Sequence, residues 1–283
     1  MKTGFNLLLW TTHVTEAQLP LLGKLKAAGY DGVEVPLFEG DLAHFAKLAR
    51  ALRDDGLACT AVTVMPDEAH SCISADPRSR QGALDHLRWA IDCSNALSSE
   101  VLCGPFHQPL GTFSGAGPTG DEKGWAAEVH GAAADYAAQG DMMLAIEPLN
   151  RFECYFLNTM ADAKDYVRRV GRANFGALYD TFHANIEEKD PIGVIGKTAD
   201  AIRHVHVSEN DRGTPGRGHV DFAATFRALR AAGYDGWLTI EAFGEALPAL
   251  AAATKVWRPF FASPEEVYTV GLKTMREAWA AAA

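Results

Sequence analysis

Short apolar runs recur along the chain, separated by amphipathic stretches with helical spacing. The runs lie near 4–10, 32–37, 57–64, 100–106, 142–147, 175–180, 202–207 and 237–242. They are nearly continuous in apolar residues and bounded by polar ones, as expected of strands buried on both faces. Helical patterns fill 15–28, 41–55, 78–96, 124–139, 160–170, 191–200 and 221–232, with a last one at 265–281. Strands alternating with helices predict parallel βα units. Eight such units predict a single (β/α)₈ TIM barrel domain over 1–283, finished by a C-terminal helix. A doubly wound open sheet is the alternative.

An internal echo supports the repeat. Residues 25–32 read LKAAGYDG and residues 229–236 read LRAAGYDG. Each copy ends a helical pattern with a glycine suited to the left-handed position after a helix, then turns into an apolar run. The interval between the copies divides into six units of roughly 34 residues, the size of a βα unit.

Length alone leaves two options, since 283 residues suit one barrel of ~250 residues or two ordinary domains. The chain shows no linker. The Gly/Pro-rich piece 107–123 follows the fourth run, and 243–264 follows the eighth. In a barrel both are loops at the C-terminal ends of strands, where active sites form. Gly115, Gly117 and Gly120 match GxGxxG, but no strand directly precedes them and Pro118 interrupts them, so they are predicted as coil.

The charge balance narrows the partners. There are 26 Lys and Arg against 36 Asp and Glu, a net charge of −10. A basic footprint for nucleic acid is missing. No stretch reaches the ~18 apolar residues of a membrane span. The N-terminal run Leu7–Trp10 is too short for the core of a signal peptide. The five cysteines are odd in number with no CxxC pair, so buried thiols in a reducing, cytoplasmic setting are expected.

Candidate chemistry gathers in the second half. Four runs end in a metal-ligand residue type: Glu147, Asp180, His206 and Glu241. A lone carboxylate at a strand end is usually a solvated rim residue. Four in successive units should meet at one end of the barrel. Three carboxylates and an imidazole suit a hard or borderline divalent ion, Mn²⁺ first, with Mg²⁺ or Co²⁺ possible. Polar residues follow each anchor: Glu153 after Glu147, His183 after Asp180 and Arg212 after His206. Their loops should rise over the ion and could hold hydroxyl groups.

At EPLNRFECYFLNT, YDTFHANIEE, HVHVSENDRGTPGRGHVDF and GYDGWLTIEAF the sequence resembles the D-tagatose 3-epimerase family of ketose 3-epimerases, within the xylose isomerase-like barrels. The resemblance implies metal ligands at Glu147, Asp180, His206 and Glu241. It implies an acid/base pair at Glu147 and Glu241, and substrate-holding residues at Glu153, His183 and Arg212. It also implies a free ketose as the small-molecule partner, and a homodimer or homotetramer. Trp10 falls where the family packs apolar side chains on the sugar. The segment 60–65 after the third run is harder to match.

Inverting C3 of a ketose requires removing a proton beside the C2 carbonyl and returning one from the opposite face, through a cis-enediolate. Two carboxylates on opposite sides of one carbon can alternate as base and acid. An ion holding O2 and O3 would polarise the carbonyl and fix the substrate plane. Other barrel enzymes compete for the reading: aldose–ketose isomerases, hydroxypyruvate isomerase and inosose dehydratase-like lyases. A hydride shift would want a second metal, for which His219 and Asp221 are the only spare pair nearby. A DNA-repair endonuclease would need a His-rich multi-zinc site and a basic face. A non-catalytic sugar- or metal-binding protein would leave the acid/base pair without a purpose.

Overall fold

The computed structural model describes residues 1–282. Its strands are β1 (Lys2–Phe5), β2 (Gly32–Pro36), β3 (Ala58–Val62), β4 (Val101–Gly104), β5 (Met143–Ile146), β6 (Phe175–Asp180), β7 (Ile202–Val207) and β8 (Trp237–Ile240). The helices are α1 (Leu19–Ala28), α2 (Leu42–Asp54), α3 (Pro77–Leu97), α4 (Gly120–Ala137), α5 (Met160–Val170), α6 (Thr181–Glu187), α7 (Gly193–Thr198), α8 (Phe222–Ala231), α9 (Pro248–Thr254) and α10 (Pro264–Ala281).

All strand pairs are parallel, in the order β1-β8-β7-β6-β5-β4-β3-β2. The ring closes between β1 and β2 through one parallel bridge, Asn6 to Glu34. The result is a TIM barrel with helices between its strands and α10 at the end. β2, β4, β6 and β8 are buried along their whole length, which explains why they read as unbroken apolar runs. Among the described residues, no helix is long and apolar enough to cross a membrane. The five cysteines are free and buried.

The two copies of the echo do the same work. Gly29 after α1 (φ 111°) and Gly233 after α8 (φ 76°) take left-handed backbone and turn the chain into β2 and β8. Gly104 at the end of β4 has φ 125°, and a Cβ there would lie 2.2 Å from Thr63 O, so only glycine fits.

Three elements depart from expectation. The first strand stops at Phe5, because the Asn6 side chain caps a 3₁₀ turn at Leu7–Leu9 by accepting from Leu8 N–H. α6 starts directly at the end of β6, with Asp180 as its N-cap, where a loop was expected. α9 interrupts the long loop after β8. The glycine-rich piece is coil at Gly115 and Gly117 as expected, but Gly120 opens α4 behind the Thr119 cap; a Cβ at any of the three would meet nothing within 4 Å, so no backbone approaches closely there.

Candidate active site

Parallel strands all point one way, so residues at their C-terminal ends share one mouth. Glu147 follows β5, its N–H donating to Gly104 O at 3.0 Å. Asp180 ends β6; its Oδ1 accepts from Phe182 N–H at 2.6 Å and its Oδ2 from Ser208 Oγ at 3.2 Å. His206 lies in β7 and Glu241 directly follows β8. All four are buried, and one donor atom from each lies within 4.8 Å of the other three. His206 Nδ1 stands 3.5 Å from Glu241 Oε1, 3.7 Å from Asp180 Oδ2 and 4.0 Å from Glu147 Oε1. Nδ1 is buried and has no hydrogen-bond partner. A buried ring nitrogen that faces three carboxylate oxygens and is hydrogen-bonded to none of them fits a divalent cation.

The three residues expected to hold substrate border this cluster. Arg212 is buried and directs Nη1 at Glu241 Oε2. Its Nη2 lies 2.7 Å from His183 Nε2. The guanidinium is clamped between the rings of Phe182 (4.2 Å) and Phe243 (4.6 Å). Its backbone is left-handed, φ 61°, a conformation costly for arginine and held here by the surrounding loop. Asn150 donates its backbone N–H to His183 Nδ1 at 2.9 Å. The one ring proton then sits on Nε2, 3.6 Å from Glu147 Oε1. Glu153 accepts from Asn150 Nδ2 at 2.8 Å and lines the same pocket, with Leu8, Phe38, Val62 and Leu250 as apolar walls.

The electrostatics are uneven. Burial pushes the Glu147 carboxyl well above the usual carboxylate range, and the charges of Glu241 and Asp180 add to this against the pull of His206. Burial works the same way on Glu241, but His206 and Arg212 outweigh it and hold that carboxyl low. Burial opposes charge on His206, yet Glu34 and Glu241 raise it well above the ordinary imidazole. Burial and Arg212 push His183 down to about 3, so its ring is neutral.

Residues 22–278 match the family of xylose isomerase-like TIM barrels. The chain is 33% identical over 270 residues to a ketose 3-epimerase of Arthrobacter globiformis, covering 94% of this chain and 93% of that one. The chain belongs to the ketose 3-epimerases of this barrel family. It is accordingly an isomerase, a carbohydrate 3-epimerase. A D-psicose 3-epimerase of Ruminiclostridium cellulolyticum is 34% identical over 267 residues, 91% of this chain and 89% of that one. Among solved structures, the D-allulose 3-epimerase of Methylomonas sp. in complex with D-allulose superposes with a TM-score of 0.91 at 27% identity, covering 98% and 97% of the two chains.

Some residues of this epimerase's mouth escaped the sequence reading. Trp10 does not line the pocket; it packs on Phe5 (5.0 Å between ring centroids) and Tyr268 (6.4 Å), and Leu8 takes the pocket-facing place. In the segment 60–65, Val62 and Val64 line the pocket. His219 and Asp221 are exposed, and Asp221 caps α8. The largest omission lies beneath the cluster. Glu34 is wholly buried and bonded to His206, His204, Asn6, Thr60 and Cys103. The signal available was a carboxylate in the middle of the apolar run GVEVP, flanked on both sides by valine.

Proposed function

We propose that this epimerase inverts C3 of a free ketohexose or ketopentose, of the D-tagatose, D-psicose, D-fructose or L-ribulose type, and depends on a divalent metal, with Mn²⁺ the first choice. Glu147, Asp180, His206 and Glu241 would hold the ion. When bound, it supplies Lewis-acid polarisation of the substrate's carbonyl. The observation that carries the reading is the facing pair Glu147 and Glu241, two buried carboxylates brought to one point from β5 and β8.

Glu147 and Glu241 serve as acid and base on the two faces of C3. One takes the C3 proton, a cis-enediolate forms, and the other returns a proton from the opposite side. Their surroundings push the two carboxyls apart, which is the usual mark of an acid/base pair. His183 Nε2 and Arg212 Nη2 both present protons toward one point beside Glu147. A ketose oxygen arriving there accepts from both and relieves the contact between two donors. Glu153, held by the Asn150 side chain that also meets His183, orients a further hydroxyl. The apolar walls exclude water from the enediolate.

The whole chain is read as one barrel domain. Trp257 and Phe152 are 67% and 68% exposed on loops at the mouth end, which fits burial in a homodimer or homotetramer; sedimentation tests it. The deciding experiment is NMR in D₂O with metal-stripped protein, added Mn²⁺ and D-fructose, D-tagatose or L-ribulose. Deuterium at C3 with the C3 epimer establishes the reaction. Exchange at C1 with aldose formation would instead make it an aldose–ketose isomerase.

A further inference from the structure

We propose that Glu34 is a positioning residue for the metal centre, holding His206 directly and Glu241 through Asn6. The inference rests on the reading of Glu147, Asp180, His206 and Glu241 as metal ligands.

Glu34 sits on β2, bonds neighbours beside it and reaches across the barrel interior to β7, and touches neither pocket nor solvent. Its Oε1 accepts from His206 Nε2 at 2.8 Å and from Asn6 Nδ2 at 2.9 Å. Its Oε2 accepts from His204 Nε2 at 2.8 Å, Thr60 Oγ1 at 2.8 Å and Cys103 Sγ at 3.2 Å. Five donors from four other strands or strand ends therefore converge on one carboxylate.

Two consequences reach the ligands. With Nε2 donating to Glu34, Nδ1 is the ring nitrogen left to bind an ion, and it is the atom that faces the three carboxylates. The ring can neither flip nor change tautomer without breaking that bond. A carboxylate behind a ligating imidazole also raises its basicity. Second, the same Asn6 Nδ2 that bonds Glu34 donates to Glu241 Oε1 at 3.0 Å. Asn6 cannot turn over, because its Oδ1 accepts from Leu8 N–H at 2.9 Å. Asn6 and Glu34 also form the bridge that closes the barrel, so the seam of the fold and the aim of two ligands are one arrangement.

The test is a Mn²⁺ titration of metal-stripped protein, with free Mn²⁺ read by electron paramagnetic resonance and folding checked by circular dichroism. Glu34→Gln keeps the shape but removes the charge and leaves one acceptor oxygen for five donors. We expect its Mn²⁺ affinity to fall roughly 10- to 100-fold. Thr60→Val removes a donor to the far oxygen, and should leave affinity unchanged while lowering the melting temperature. Unchanged affinity in folded Glu34→Gln, or an equal loss in Thr60→Val, would overturn the proposal. A wild-type protein that binds no Mn²⁺ would instead sink the metal-centre reading itself. If Glu34→Gln does not fold, the Mg²⁺-loaded wild type decides by long-range ¹H–¹⁵N NMR. A downfield proton on His206 Nε2 supports the arrangement, and a ring protonated on Nδ1 ends it.

Discussion

One imidazole joins two buried polar clusters of opposite character. On the Nδ1 side of His206, three carboxylates stand 3.5–4.0 Å away and none forms a hydrogen bond to it. On the Nε2 side, Glu34 draws five donors in to 2.8–3.2 Å, and of this cluster only His204 Nδ1 is left without a partner among the described residues. Both sides could be described as groups of metal-ligand residues. Spacing separates them. The lower cluster is already closed by its own hydrogen bonds, and burial keeps the Cys103 thiol protonated by pushing it well up. Burial would also raise Glu34, but His206 and His204 outweigh it and hold that carboxyl well below the usual range. The upper cluster concentrates negative charge that its own cations only partly offset. An excess of acceptors invites a cation, whereas a carboxylate filled by its own donors builds a support.

The sharpest way to break this contrast is to change the upper carboxylates. Glu147→Gln and Glu241→Gln are each expected to lower turnover by roughly 10³-fold or more, in line with the loss of a general acid or base. Deuterium incorporation at C3 measures it. Near-normal exchange in either variant would end the two-carboxylate scheme. Cys103→Ala, in the lower cluster, should keep measurable turnover.

Metal removal comes next. Chelator-treated protein should lose activity and melt at lower temperature. Mn²⁺ at about 100 times its Kd should restore both, adding about 2.7 kcal/mol of stability. An unchanged melting curve on chelation would mean that the upper cluster holds no ion.

The charge asymmetry gives a pH signature. Burial favours the protonated form of Glu147, and Glu34 and Glu241 favour that of His206, and an entering cation must displace such protons. Affinity should therefore rise with pH, by about tenfold per unit for each proton released. Calorimetry in buffers of different ionisation enthalpy counts those protons. A pH-independent affinity would contradict the raised carboxyl and imidazole.

A third buried polar region, without carboxylates, serves as the reference. His130 bonds Tyr166 Oη (2.5 Å) and Phe106 O (2.9 Å), and burial pushes it down to about 4. The unfolded chain takes up a proton below about pH 6.5 that the folded ring refuses until about 4. Stability should thus be full above that window and fall as pH drops, by about 1.4 kcal/mol per unit. Urea melts at pH 7 and pH 5 test it, and His130→Gln should reduce the slope by about that amount, leaving the share of other buried histidines such as His183.

Much of the barrel was readable because its signals are local. α5 falls on the predicted 160–170, and β6 and β7 on their apolar runs, since periodicity and flanking polar residues mark both ends. α6 was missed because it has seven residues and is capped by Asp180, already read as a strand end. Glu147, Asp180, His206 and Glu241 could be aligned from spacing alone, because equal βα units bring equal positions to one rim. Glu34 gave only a polar interruption in an apolar run. Its side-chain partners lie 26 to 172 residues away, on four other segments.

The sequence by itself determined the alternation of strand and helix, the number of units and the residues at the strand ends. These follow from side-chain periodicity and turn chemistry over a few neighbouring residues. Only the tertiary structure decided that Asn6 and Glu34 close the ring and that His206 turns Nδ1 toward the carboxylates. It alone raised the Glu147 carboxyl and lowered that of Glu241. Those outcomes depend on burial and on charges contributed by segments far apart in the chain, which meet only once the barrel has closed.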